Sequence, residues 1–130
     1  MGAMANVSEK QILLIEDDRF LSSLLKNRLE KEGLFVVLAE DGAAALRQLE
    51  TLRPGLIMLD IILPGQSGFE VLEKIRSDIQ MKDIPIIITS NLGQEEDMER
   101  VKKLGGVVEY FVKARTPIDD LVKRVKELCR

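Results

Sequence analysis

Five short apolar blocks, each of strand length and each followed by a stretch of helical periodicity, constrain this chain more than any other feature. Gln11 to Glu16 (QILLIE), Leu34 to Ala39 (LFVVLA), Leu56 to Asp60 (LIMLD), Ile84 to Thr89 (IPIIIT) and Val107 to Val112 (VVEYFV) read as buried strands. Between and after them, Leu21, Leu24, Leu25 and Leu29, then Ala45, Leu46, Leu49 and Leu52, then Leu72, Ile75 and Ile79 recur at helical spacing. Met98, Val101 and Leu104 make a sparser fourth stripe, and Ile118, Leu121, Val122, Val125 and Leu128 a fifth. Gly33 and Arg53-Pro54-Gly55 supply stops, and Thr116-Pro117 a capping residue followed by a first-turn proline. Strand and helix alternating in this way call for an α/β fold, a parallel sheet covered by helices on both faces. The doubly wound, flavodoxin-like order 2-1-3-4-5 is the expected topology.

With 130 residues there is room for one such domain. Met1-Gly2-Ala3-Met4 lacks the basic and apolar regions of a signal peptide, so residues 1–9 read as a disordered start or expression remnant and residues 10–130 as the domain. No apolar run reaches membrane-spanning length. Basic and acidic residues, 19 and 22 of them, are interspersed, so no basic stripe points to direct nucleic-acid binding. The single cysteine, Cys129, cannot form an internal disulfide, which suits a reducing compartment such as the cytoplasm. Histidine is absent, which removes histidine general-base catalysis and the common zinc sites and leaves carboxylates, hydroxyls and amines.

In a parallel sheet every strand C-terminus opens on one edge, where ligands bind in open α/β folds. Strand one ends in Glu16-Asp17-Asp18, strand three in Asp60, strand four in Thr89-Ser90 and strand five before Lys113. Singly, each has a bland reading: a helix cap, a turn acid, a loop hydroxyl, a solvated amine. Asp18 is assigned to the cap. Together they would repel unless a cation and a lysine offset the converging carboxylates. A hard cation such as Mg²⁺ prefers oxygen ligands and shares substrate phosphate, so three acids suit it. Asp60 is then placed to attack a phosphoryl group, with Ser90 donating to one phosphoryl oxygen and Lys113 pairing with another.

Over about residues 10 to 129 the chain resembles the receiver domains of bacterial two-component systems, in the manner of stand-alone chemotaxis regulators. Glu16-Asp17 follows ILLI, Asp60 sits in LIMLDIILPGQSG with Pro64 and Gly68 at the family's offsets, Ser90 ends a strand begun by Ile84-Pro85, and Lys113 ends YFVK. The resemblance implies Asp60 as phosphoacceptor, Asp17 as principal metal ligand with Glu16 as its partner, and the Ile62 carbonyl as a further ligand. It implies Ser90 and Lys113 as phosphoryl-holding groups, Tyr110 as a switch aromatic coupled to Ser90, and Mg²⁺ as cofactor. Such a domain catalyses only its own phosphorylation and dephosphorylation. Its donor would be a sensor histidine kinase, a phosphotransfer protein or a small phosphodonor. Its output would pass through the fourth helix, fifth strand and last helix to an effector protein or a second copy.

Departures from the family pattern carry expectations of their own. Ala114 replaces the usual proline after the lysine, so a cis peptide is not expected there. One extra residue between Ser90 and Lys113 is expected near Leu104-Gly105-Gly106. Asn91 stands where a small residue is usual and would narrow the approach. Ile62 and Leu92, both apolar, cannot orient an attacking water, so a long-lived phosphoryl form is expected. The rival readings are a Mg²⁺-dependent aspartyl-phosphate phosphatase or phosphotransferase, a flavin electron carrier, and a degenerate receiver that binds partners without phosphorylation. The first would want a second acid where Ile62 stands, and the second a Gly/Ser/Thr-rich loop where Glu16-Asp17-Asp18 stands.

Overall fold

A computed structural model describes residues 8–65, 67–91 and 95–129. Five parallel strands, β1 (Ser8–Ile15), β2 (Phe35–Ala39), β3 (Pro54–Leu59), β4 (Ile86–Ser90) and β5 (Val107–Val112), lie in the order β2-β1-β3-β4-β5. They alternate with α1 (Arg19–Lys31), α2 (Gly42–Gln48), α3 (Gly68–Ser77), α4 (Glu95–Leu104) and α5 (Ile118–Leu128). This is the doubly wound, flavodoxin-like order expected from the alternation. Strand β1 begins earlier than the apolar block alone indicates, and of the proposed start, residues 1–7 lie outside the described residues.

The uninterrupted apolar runs follow from burial on both faces of the sheet. Along β1, Leu13 and Ile15 join α2, α3 and α4 in one core, while Ile12 and Leu14 join α1 and α5 in the other. Met58 and Leu59 of β3, and Ile87 and Ile88 of β4, divide in the same way. Each fully buried aliphatic side chain contributes about 1.5–3 kcal/mol, so the two layers fix the strand register.

Three local expectations are corrected. Pro54 and Gly55 belong to β3 rather than breaking the chain before it, and α2 ends at Gln48, with turn bonds carrying on to Leu52. The side chain of Arg53 closes that end by donating to the Leu49 and Leu52 carbonyls. Ile79 lies outside α3 and is 81% exposed, because an Asp78 turn points it outward and Met81 takes the buried place. Thr116 does not cap α5, since its hydroxyl donates to the Val112 carbonyl at 2.9 Å.

Every described peptide bond is trans, including the one before Ala114, and Lys113–Arg115 form a short 3₁₀ turn. The segment before Lys113 is irregular at two places, the Gly105-Gly106 turn and the start of β5. Gly105 and Gly106 both adopt positive φ, and the β4–β5 register slips by one between Ile86↔Val107 and Ile87↔Glu109.

Candidate functional site

All four strand ends named from the sequence open on the same edge. The β1 end is held by Glu16 N–H donating to the Ala39 carbonyl at 3.0 Å, and the β3 end by Asp60 N–H donating to the Ile15 carbonyl at 3.1 Å. These bonds fix the two carboxylates side by side, both nearly buried. Lys113, just past β5, crosses β4 to reach them. Its Nζ lies 2.7 Å from Asp60 Oδ2, to which it donates, and 2.5 Å from Glu16 Oε1. Glu16, Asp17, Asp18, Asp60, Ile62, Asn91 and Lys113 line the resulting crevice.

Each carboxylate has a distinct backbone partner. Asp60 Oδ1 accepts from Ile62 N–H at 2.9 Å, and Glu16 Oε2 accepts from Asp18 N–H at 3.1 Å. Asp18 is the N-cap of α1, its Oδ1 accepting from Leu21 N–H at 3.0 Å, as the capping reading has it. Burial pushes the Glu16 carboxyl above the usual carboxylate range, with the Asp60 charge adding to the rise and Lys113 and the Asp18 amide opposing it. Burial alone would lower Lys113, but its bonds to Asp60 and Glu16 outweigh that and hold it above the ordinary lysine value.

Glu16, Asp17 and Asp60 each offer a carboxylate oxygen, all within 4.8 Å of one another. Among the described residues, buried Glu16 Oε1 is met by the Lys113 ammonium alone. An all-oxygen set of three carboxylates, two of them sharing one ammonium, fits a hard divalent cation.

Ser90 is fully buried at the end of β4, pairing with Val112 in register, and Tyr110 of β5 pairs with Ile88 of β4. Burial raises the Tyr110 hydroxyl, Asp97 on α4 raises it further, and a side-chain hydrogen bond with Ser90 opposes the rise. Ile62 stands half exposed at the crevice and Asn91 is exposed beside it, whereas Leu92 lies outside the described residues.

Gly68 belongs to this site in a way that sequence reasoning gave no physical reason for. A Cβ there would collide with the Asp60 carbonyl oxygen and lie 2.5 Å from Ile61 Cα, while its N–H donates to the Ile61 carbonyl at 2.8 Å. The start of α3 is thus packed directly on the backbone that carries Asp60. Glycine after the Ser67 cap, eight residues past the acid, was the available signal.

The family model described as response regulator receiver domain matches residues 12–126. The phosphate regulon transcriptional regulatory protein PhoB of Escherichia coli is 35% identical over 122 residues, covering 93% of this chain and 52% of that protein. The chain spans about half the length of the curated relatives it matches. Among solved structures, the Mn(2+)-bound form of response regulator Rcp1 is 32% identical with a TM-score of 0.78, covering 92% of this chain and 91% of that one. The phosphorylated cyanobacterial phytochrome response regulator RcpA is 32% identical with a TM-score of 0.79, covering 93% and 91%. Among the described residues, no helix is long and apolar enough to cross a membrane.

Proposed function

The chain belongs to the response regulator receiver domain family, and from that premise we propose that it is a cytoplasmic switch whose Asp60 carboxylate accepts a phosphoryl group. The observation that carries this reading is the single Lys113 ammonium held between Asp60 and Glu16 at the mouth of one crevice. An aspartate held by one backbone amide and one lysine ammonium keeps a lone pair available for attack. A bland ion pair would not need two further acids within reach.

In the proposed step an Asp60 carboxylate oxygen attacks phosphorus in line. A P–O bond forms, and the P–N bond to a donor histidine or the P–O bond to a small acyl phosphate breaks. The electron pair leaves with the donor. Lys113 keeps its proton and turns from the carboxylate to a phosphoryl oxygen, and the Ser90 hydroxyl donates to another. Glu16, Asp17, Asp60 and the Ile62 carbonyl would hold Mg²⁺, which when bound supplies charge neutralisation on the phosphoryl oxygens. That one similar regulator was solved with Mn²⁺ and another phosphorylated supports a divalent cation and a phosphoryl group as ligands of such a domain. The domain acts only on itself, catalysing its own phosphorylation and dephosphorylation.

The donor is a sensor histidine kinase, a phosphotransfer protein or a small phosphodonor. Exposed Phe20 and Leu24 on the first turns of α1, together with Ile62, give the crevice surroundings an apolar character that suits a protein donor. The output surface is α4–β5–α5, taken by an effector protein or a second copy. Ser90 drawn toward the phosphoryl group leaves room for Tyr110, and α4 adjusts with it. The regulator PhoB is named for transcription, but no basic stripe here supports direct DNA contact by these residues.

Intact mass after treatment with acetyl phosphate or phosphoramidate and Mg²⁺ tests the reading. Wild type gains one phosphoryl group and Asp60→Ala gains none. Equal labelling of both proteins would refute it.

A further inference from the structure

We infer that Arg100 is a latch that holds α4 against the first turn of α3, which is packed on the backbone carrying Asp60, and thereby sets the resting point of the switch. This rests on the phosphoacceptor reading above. The Arg100 guanidinium carbon lies 3.9 Å from the centroid of the Phe69 ring, the geometry of a cation–π contact. Phe69 is itself immobilised. It is nearly buried, its N–H donates to Ser67 Oγ at 3.1 Å, and Gly68 before it is packed on the Asp60 and Ile61 backbone. The ring is therefore rigidly tied to the segment that carries Asp60.

The helix on the other side of the contact is held much less firmly. Among the α4 residues whose burial is described, only Val101 is buried; Met98 and Leu104 are half exposed, and the rest face solvent or lie at its edge. A cation–π contact is a small part of a whole domain's stability but a large part of what restrains one thinly packed helix. Lys113 is engaged with Asp60 here, so the contact belongs to the unphosphorylated arrangement. A contact made in one state and lost when α4 leaves its seat shifts the equilibrium toward the first state by its own free energy.

Amide hydrogen exchange of α4 in metal-free protein tests the latch. In Arg100→Met, α4 amides are expected to exchange about two- to five-fold faster than in wild type, with sheet amides unchanged. Phe69→Leu should reproduce this, the double variant should add nothing, and Arg100→Lys should fall between. The fluoroberyllate concentration that half-saturates the protein with Mg²⁺ should drop by the same factor in Arg100→Met. Unchanged α4 exchange in Arg100→Met, acceleration spread evenly over the sheet, or a rise in that concentration would overturn the latch. Absence of fluoroberyllate binding by wild type would remove the phosphoacceptor reading instead, and the exchange ratio would still decide the latch.

Discussion

Lys113 Nζ stands 2.7 Å from Asp60 Oδ2 across the end of β4, and the same ammonium meets Glu16 Oε1 at 2.5 Å. One cation thus offsets two carboxylates buried at the ends of neighbouring strands. Lys113→Met should strip that offset and, in chelator at pH 7, cost about 3 kcal/mol in urea unfolding, as for other buried pairs that lose one partner. Millimolar Mg²⁺ should recover more stability in the variant than in wild type, because the tethered ammonium no longer competes for the oxygens. The Lys113 contribution is complete below pH 10.5 and fades as pH rises through its raised folded value, so the gap should narrow in strong alkali. An equal loss with and without Mg²⁺ would count against the shared-cation picture.

Glu16 carries the opposite sign. Its folded pKa lies above 4.5, so the native state holds that proton more tightly than the unfolded chain and the ionised carboxyl is a cost at neutral pH. Metal-free Glu16→Gln should therefore be more stable than wild type at pH 7. The difference should shrink as pH falls through the raised value toward 4.5. A variant less stable at pH 7, with the gap constant down to acid, would contradict this.

Arg76 is a clamp at the far edge of the sheet. Its guanidinium donates to the carbonyls of Gly105 (3.0 Å), Gly106 (2.8 Å) and Ile84 (2.8 Å), and to those of Met81 and Lys82. Arg76→Met leaves several of these unsatisfied and should destabilise by about 2–4 kcal/mol in urea. Arg76→Lys should recover less than half, since one ammonium cannot serve three chain segments at once.

Ile62 presents an apolar side chain at the crevice, 53% exposed. An attacking water finds no hydrogen-bonding side chain at this position, so the phosphoryl form should persist for minutes or longer, and Ile62→Asn should shorten it several-fold. Loss of radiolabel within seconds, unaltered by Ile62→Asn, would rule this out.

The sheet was legible because burial on both faces leaves no polar position to obscure a strand: Ile12 to Ile15 and Leu56 to Leu59 are unbroken apolar runs. Helix ends were less so. Ile79 fits the α3 period, yet an Asp78 turn decides its direction, and Thr116 looks like a cap but bonds backward to Val112. The convergence of Glu16, Asp17, Asp60 and Lys113 followed from strand polarity alone. Which carboxylate Lys113 would meet did not, because the length of its reach across β4 has no sequence period. The Arg76 clamp and the Arg100–Phe69 contact join residues roughly thirty apart through carbonyls and a ring face, which no local pattern announces.

Borohydride reduction of the phosphorylated protein, followed by peptide sequencing by mass, tests the central assignment most directly, because it converts an aspartyl phosphate to homoserine where it stands. Homoserine at position 60 alone, dependent on Mg²⁺ and on the phosphodonor, is the predicted result. Homoserine at Asp17 or elsewhere, or a phosphoryl group that survives reduction on a hydroxyl, would contradict it.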